Sequence, residues 1–337
     1  MPANSFYFQW HITDVCGNRC KHCYITEFNK QQVSLATAEG IMADMKGCCE
    51  ALDAEATLSV TGGDPLTHPE IWAILKEARK FTKKLAVLGN PELLSAENIG
   101  KLKNAGVDKY QFSLDGMEST HDAIRRPGSF KRTLAGIRSL VQAGIHVVVN
   151  STVSGINYHE MVDVMKLSYD LGASKWSFAR WVPESGTCGI SAQEYSKFLK
   201  EIFELQKSFK SDGTTFLAGD SLMNSVILEP APCDGVTTGC ALGSSALCVL
   251  PDNTVMACRR HKDSMLGKWK KSGDLLDFFL FNPKMEVYRQ TDKIVGCNKC
   301  GFKSQCRGCR ALAYVNNGDT FGTDPQCVLI NKQPQKE

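Results

Sequence analysis

Short runs rich in β-branched and aromatic residues alternate along this chain with longer stretches whose apolar residues recur every three or four positions. The runs are Phe6–Ile12, Thr57–Thr61, Leu85–Leu88, Tyr110–Leu114, His146–Thr152 and Lys175–Trp181, and they read as strands. The helical stretches between them are Leu35–Leu52, Pro69–Lys80, Ala96–Ala105, Phe130–Ala143 and His159–Leu171. Strands spaced by one helix imply right-handed βαβ crossovers and a parallel sheet. Gly106, Gly144 and Gly172 follow three of the helices and suit a left-handed C-cap. Six such strands can curve into an open, partial (β/α)6 barrel, with the loops at the C-terminal strand ends forming the working face.

After about residue 183 the pattern changes. A helix over Ala192–Phe209 leads into a Pro/Gly/Cys-rich segment. A hairpin of Ala246–Leu250 and Thr254–Ala257 is predicted there, turning at Pro251-Asp252-Asn253. A short helix near Asp274–Tyr288 precedes a cysteine-dense tail. The predicted organisation is α/β: a barrel over 1–185, a helical linker over 186–232 and a small Cys-rich domain over 233–337. There are no repeats or low-complexity tracts.

At 337 residues, with 43% hydrophobic and 22% charged residues, the composition is that of a globular protein and excludes a disordered chain or fibre. Apolar runs such as Ala246–Leu250 are far too short to span a bilayer. The first ten residues lack the features of a signal peptide, so the expected location is the cytoplasm, with no membrane partner. Net charge is +3, from 39 basic and 36 acidic residues. That balance gives no electrostatic case for nucleic acid.

Cysteine changes the picture. There are 15, an odd number in a chain without an export signal, which points to thiols kept reduced for metal sites. Cys16-Gly-Asn-Arg-Cys20-Lys-His-Cys23-Tyr24 places three cysteines in a loop after the first strand. Three thiolates can hold three irons of a cubane [4Fe–4S] cluster and leave the fourth iron free. A zinc site with a remote fourth ligand, or three unrelated thiols, are the plainer readings. The spacing is not the paired C-x2-C of common zinc modules.

The Cys-x3-Cys-x2-Cys spacing followed by Tyr24 resembles the signature of the radical S-adenosylmethionine (SAM) enzymes. The resemblance continues at later strand ends. Thr61-Gly62-Gly63-Asp64-Pro65 resembles the family's GGEP loop, with Asp in place of Glu, whose backbone holds the SAM amino group. Leu88-Gly89-Asn90-Pro91 closes the third strand. Ser113-Leu114-Asp115-Gly116 and His121-Asp122-x-x-Arg125 resemble the segment whose serine and arginine contact the SAM carboxylate. Asn150-Ser151-Thr152 and Phe178-Ala179-Arg180 end the fifth and sixth strands. The resemblance implies that Cys16, Cys20 and Cys23 bind the catalytic cluster. It implies that Tyr24, Gly62, Gly63, Asp64, Asn90, Ser113, Asp115, Arg125, Asn150, Ser151 and Ala179 bind SAM. In such enzymes one electron from the cluster cleaves SAM, and the resulting 5′-deoxyadenosyl radical abstracts an unactivated hydrogen. The protein supplies position and shielding.

The tail holds Cys297-x2-Cys300-x5-Cys306-x2-Cys309, then Asp324-Pro325-x-Cys327, with Cys240 and Cys258 bracketing the hairpin. The five-residue gap is short for a zinc ribbon. The set resembles the SPASM extension of radical SAM proteins, which carries two auxiliary [4Fe–4S] clusters, for three clusters in all. By that resemblance Cys297, Cys300, Cys306 and Cys327 bind one auxiliary cluster, and Cys240, Cys258 and Cys309 bind the other. Its fourth ligand is Cys248 or Cys233, or the position is open. The final x2 spacing, where x3 is commoner, and Asn253 in place of the usual hairpin glycine depart from the pattern. Cys48 and Cys49 read as small buried hydrophobes, and Cys188 as a non-ligand. Arg259 or Arg260, after Cys258, could offset the charge of a thiolate-bound cluster. The other basic residues from Lys262 to Lys271 read as a solvated loop.

The resemblance leaves three substrate readings. The first is a maturase of a ribosomal peptide, forming a thioether or other crosslink or an epimer. The second is tetrapyrrole side-chain chemistry of the haem-biosynthesis type, which Cys309-Arg310-Ala311 and Asp324-Pro325-x-Cys327 also resemble. The third is a non-catalytic zinc protein. Only 15 residues precede Cys16, so a peptide substrate is expected to need a separate leader-recognition protein, or to carry no leader. A flavodoxin- or ferredoxin-type protein is the expected electron donor.

Overall fold

The computed structural model describes residues 5–25, 27–28, 31–209, 216–226, 239–303 and 305–331. The chain packs as two compact units, each assembled from separated segments. One comprises Met1–Phe112, Lys131–Val147 and Ala241–Arg289. The other comprises Ser113–Phe130, Val148–Cys240 and Gln290–Glu337.

The first unit is built on β1 (Ser5–Thr13), β2 (Glu55–Gly62), β3 (Thr82–Leu88) and β4 (Lys109–Ser113, in this unit as far as Phe112). Neighbouring pairs are parallel. Phe8, Trp10, Ile12, Leu58, Val60, Leu85 and Val87 are wholly buried along them. The helices α1 (Leu35–Ala51), α2 (Ile71–Arg79), α3 (Ala96–Asn104) and most of α5 (Ser129–Gln142) lie between the strands in sequence. Ser34 and Ser95 start α1 and α3 by accepting the backbone N–H of Thr37 at 3.2 Å and of Asn98 at 3.1 Å.

On the other side of β1 runs β8 (Ala246–Val249), parallel to it, then β9 (Thr254–Met256), antiparallel to β8, and β10 (Met265–Lys268), antiparallel to β9. The predicted hairpin is therefore present. Its turn puts Asn253 at φ +68°, a left-handed conformation that Asn tolerates better than most residues. β10 occupies part of the stretch read above as a solvated basic loop. The predicted helix near Asp274–Tyr288 is two helices, α8 (Asp274–Phe281) and α9 (Pro283–Arg289). Pro283 has no N–H to continue α8 and so begins the second helix. Asp44 of α1 is buried. Its carboxylate accepts Trp269 Nε1 at 2.9 Å, Gly273 N at 2.7 Å and Leu275 N at 3.1 Å, joining α1 to the β10–α8 segment.

The second unit contains β5 (His146–Val153, in this unit from Val148), β6 (Lys175–Arg180) and the short β7 (Leu217–Ala218), all parallel. It also holds α4 (Glu118–Ile124), α6 (Met161–Asp170), α7 (Ala192–Ser208), α10 (Arg310–Asn317) and α11 (Val328–Asn331). A reciprocal Ser191–Glu194 capping box opens α7. The expected C-cap glycines Gly106, Gly144 and Gly172 have φ of +72°, +77° and +79°. Among the described residues no helix is long and apolar enough to cross a membrane.

Candidate active site

In the first unit the chain leaves β1 at Thr13 and enters the Cys16–Cys23 loop. Cys16, Cys20 and Cys23 are half-buried free thiols. N–H groups point at two of the sulfurs: Asn18 N and Asn90 Nδ2 donate to Cys16 Sγ at 3.3 and 3.4 Å, and Ile25 N donates to Cys23 Sγ at 3.4 Å. Burial pushes the Cys16 thiol up, and the Asn18 and Asn90 donors pull it back. Cys23 N closes a turn on Cys20 O at 3.1 Å.

The Gly62-Gly63 loop is pressed against the start of the cysteine loop. Gly63 N donates to Thr13 O at 2.7 Å, and Asp64 N to Val15 O at 2.8 Å. A Cβ on Gly62 would lie 2.1 Å from Thr13 O, and one on Gly63 2.3 Å from Val15 O. Only glycine fits there. The glycines thus serve a contact within the protein in addition to any close approach to a ligand. Asp64 is buried, accepts Leu66 N at 3.2 Å, and is pushed up to about 6, chiefly by burial.

Two residues support this loop in roles that the sequence does not announce. Tyr110, wholly buried, donates to Asn90 O at 2.9 Å and so orients the asparagine that faces Cys16. Arg259 lies over the Tyr24 ring, 4.2 Å from its centroid, and donates to Tyr24 O at 3.2 Å. Arg259 had been read only as a charge near Cys258, because nothing in its sequence neighbourhood points to Tyr24.

In the second unit Asp115 is wholly buried and organises the other predicted SAM contacts. Arg125 Nε donates to its Oδ2 at 2.6 Å and Thr152 N to its Oδ1 at 2.7 Å, while Asn157 Nδ2 donates to its backbone carbonyl at 2.8 Å. Asp115 N donates to His121 Nδ1 at 3.1 Å, which leaves the Nε2 proton to the Ser129 hydroxyl at 3.1 Å. Ser151 is fully buried. Its hydroxyl donates to Leu114 O at 2.6 Å and accepts Trp176 Nε1 at 3.1 Å. Asn150 Oδ1 accepts the Ser177 hydroxyl at 2.9 Å. Ser113 and Ala179 are half-buried at the ends of β4 and β6.

The segment from β1 into α6 matches the Radical SAM superfamily over residues 10–168. Residues 10–168 belong to the radical SAM superfamily. An "AdoMet-dependent heme synthase" of Methanosarcina barkeri is 27% identical, over 95% of this chain and 95% of that protein. The subtilosin biosynthesis protein AlbA of Bacillus subtilis is 32% identical, over 55% of this chain and 41% of its own length. Among solved structures, Streptococcus suis SuiB bound to S-adenosylmethionine aligns at TM-score 0.75 and 14% identity. That alignment covers 97% of this chain and 78% of SuiB, which is a likeness of fold. The chain is thus an enzyme with a radical SAM domain over residues 10–168, and it shares the α/β fold of SuiB. The family implies SAM and a [4Fe–4S] cluster. The triad fits a cluster: three unbridged thiols share one loop, with N–H donors directed at two of them, as thiolate sulfur requires.

The cysteine-rich tail lies in the second unit. Cys297, Cys300, Cys306 and Cys327 line one pocket, together with Phe302, Gly308 and Asp324. Cys300 N bonds Cys297 O at 3.0 Å, Cys306 N bonds Phe302 O at 2.8 Å, and Gly308 N donates to Cys306 Sγ at 3.4 Å. Burial pushes the Cys306 thiol up to about 12. Among the described residues no three Cys, His, Asp or Glu side chains converge as a single metal ion would require.

Beside this cavity runs a buried network absent from the sequence reading. Arg180 is 1% exposed. It donates to Asp324 at 2.7 Å through both Nη1 and Nη2, to Asp220 at 3.1 and 3.2 Å, and to Gln326 Oε1 at 2.8 Å. Asp324 also accepts Cys309 N at 2.7 Å and Gln326 N at 3.0 Å. Its carboxyl sits below the usual range: the Arg180 charge and these donors outweigh burial. The Asp324-Pro325 pair was visible in the sequence; its partner 144 residues away was not.

Of the other predicted ligands, Cys240 and Cys309 lie in the second unit and Cys258 in the first. Cys309 is buried with Ala311 and Leu312. Cys248 is 2% exposed on β8, opposite Met256 of β9, and burial raises its thiol. Cys48 and Cys49 are buried in α1. Cys233 lies outside the described residues.

Proposed function

We propose that this radical SAM enzyme removes hydrogen from a peptide or protein, maturing a ribosomal peptide by a crosslink or an epimerisation. The observation that carries the chemistry is the Cys16–Cys23 loop locked against Gly62-Gly63 and faced by Asn90. When bound there, the cluster and SAM supply one-electron chemistry able to abstract an unactivated hydrogen. The chain's own residues do the rest. Cys16, Cys20 and Cys23 hold iron, Asn90 and the loop N–H groups stabilise thiolate charge, and the Asp115–Arg125 pair presents a fixed cation for the SAM carboxylate. Cys297, Cys300, Cys306 and Cys327 hold an auxiliary cluster. Cys240, Cys258 and Cys309 hold another, whose fourth position is left for a substrate thiolate. The similarity to AlbA supports the peptide reading. A separate leader-binding protein and a flavodoxin- or ferredoxin-type donor complete the system.

The second reading, tetrapyrrole side-chain chemistry, is favoured by a different observation: the whole-length similarity to a haem synthase. Turnover separates the two. The reconstituted enzyme with SAM and reductant is offered small cysteine-containing peptides encoded beside its gene, or propionate-bearing tetrapyrroles. Coupled 5′-deoxyadenosine release with a peptide mass change supports the first. Release only with a porphyrin overturns it. Replacing Cys16, Cys20 and Cys23 by Ala should abolish SAM cleavage and remove about four irons per chain. Undiminished 5′-deoxyadenosine formation would refute the whole assignment.

A further inference from the structure

Arg310 opens α10 with only 4% of its surface exposed. Its Nη1 donates to the carbonyls of Thr320 at 2.9 Å and Gly322 at 2.8 Å. Its Nε and Nη2 are shut off from solvent and have no hydrogen-bond partner. No carboxylate pairs with it among the described residues. Asp220 and Asp324 pair with Arg180 instead. Burying a guanidinium with two of its nitrogens unsatisfied is strongly unfavourable unless an anion faces them.

The direction of the unsatisfied side is defined. A Cβ on Gly308 would lie 2.9 Å from Arg310 Nη2 and 2.9 Å from Asp324 Oδ2, so Nη2 reaches the backbone of Gly308 on the side where the Asp324 carboxylate, itself engaged by Arg180, also lies. Gly308 in turn lines the cavity that holds Cys297, Cys300, Cys306 and Cys327.

We propose that Arg310 is the buried cationic partner of a cluster held by Cys297, Cys300, Cys306 and Cys327, with its Nη2 and Nε directed at the cluster's sulfur atoms. This rests on the auxiliary-cluster reading given above. Four thiolates leave the cluster anionic, and each added electron makes it more so. A fixed, buried cation beside it therefore favours the reduced state and raises the reduction potential. Arg310 is a positioning and tuning residue; it touches no substrate.

The test uses the full chain carrying Cys16→Ala, Cys20→Ala and Cys23→Ala, so that only auxiliary clusters contribute. Iron content and the midpoint potential of each cluster are followed by paramagnetic resonance during a redox titration. Arg310→Gln keeps N–H donors for the two carbonyls and removes the charge. It should retain iron and move one cluster's reduction equilibrium at least tenfold toward the oxidised form, about 59 mV for one electron. Arg310→Lys should recover most of that shift. If Arg310→Gln loses about four irons and Arg310→Lys keeps them, the cation is needed to hold the cluster, which also supports the proposal. Unchanged midpoints in Arg310→Gln with full iron overturn it. Equal iron loss in both variants also overturns it, because packing alone would then explain Arg310. The cluster itself is checked by Cys297→Ala/Cys327→Ala. If that pair keeps all its iron, the auxiliary-cluster reading fails. If it loses a cluster while Arg310→Gln titrates like its parent, only the role of Arg310 fails.

Discussion

Asp115 and Arg125 meet at 2.6 Å with side chains 0% and 11% exposed. Removing one partner of such a pair strands the other charge and costs on the order of 3–5 kcal/mol of stability. Arg125→Ala should show that loss in unfolding. It should also weaken SAM binding by about 1.5–3 kcal/mol if the guanidinium contacts the carboxylate. Adding Asp115→Asn removes the stranded charge, so stability should largely return. SAM affinity measured by calorimetry should stay low in the double variant; recovery of both would mean that Arg125 acts through the fold alone. His11, on β1 beside Gln9, gives a second residue-scale expectation. Burial pushes its imidazole down to about 3, and the Arg259 charge acts in the same direction. The folded value lies below the unfolded value of about 6.5, so the unfolded chain takes up the proton first. The stability due to neutral His11 is complete above pH 6.5 and lost as pH falls from there toward 3. At pH 5 the loss is about 2 kcal/mol. Urea unfolding of His11→Gln at pH 7.5 and 5.0 should lack that part of the acid sensitivity. The roles of Tyr110 and Arg259, orienting Asn90 and covering Tyr24, have no local signature in the sequence.

At the scale of elements, the six predicted strands and most helices fall within a few residues of their observed ends, because each carries its own periodicity and several carry their own caps. α4 went unread. It is seven residues long, has no side-chain cap at Met117, and buries only His121 and Ile124, so neither periodicity nor capping announced it. The α8–α9 break was signalled by Pro283, but the apolar run across it suggested one helix. The close seating of the β2 loop on the cysteine loop leads to a sharp expectation. Gly63→Ala forces a methyl group to within 2.3 Å of Val15 O, and backbone must move. Cys16 follows directly. The variant should lose about four irons under mild chelation, with far-ultraviolet dichroism unchanged. Full iron retention would mean that the loop adapts without disturbing the cluster site.

At the scale of the whole molecule, the proposed cluster at the hairpin turns on the number of protein thiols that serve it. Cys248 is buried in the apolar run of β8, where a thiol packs as a small hydrophobe. Cys248→Ala should therefore keep all iron and activity. Added thiol peptide should then perturb the spectrum of one auxiliary cluster. Loss of about four irons would instead make Cys248 a ligand and the cluster a closed electron relay. Sequence alone determined the alternation of strands and helices, the SAM-type cysteine triad and the candidate ligand list. Those features are written in short-range spacing: three cysteines within eight residues stay neighbours whatever the rest of the chain does. Only the tertiary structure decided that β8 lies beside β1, that Asp44 reaches Trp269 across 225 residues, and that Arg180 holds Asp324 across 144. It also decided that Arg310 is buried without an ion pair among the described residues. Such contacts depend on which side chains come to share a dry interior after long loops close, and no local pattern records that.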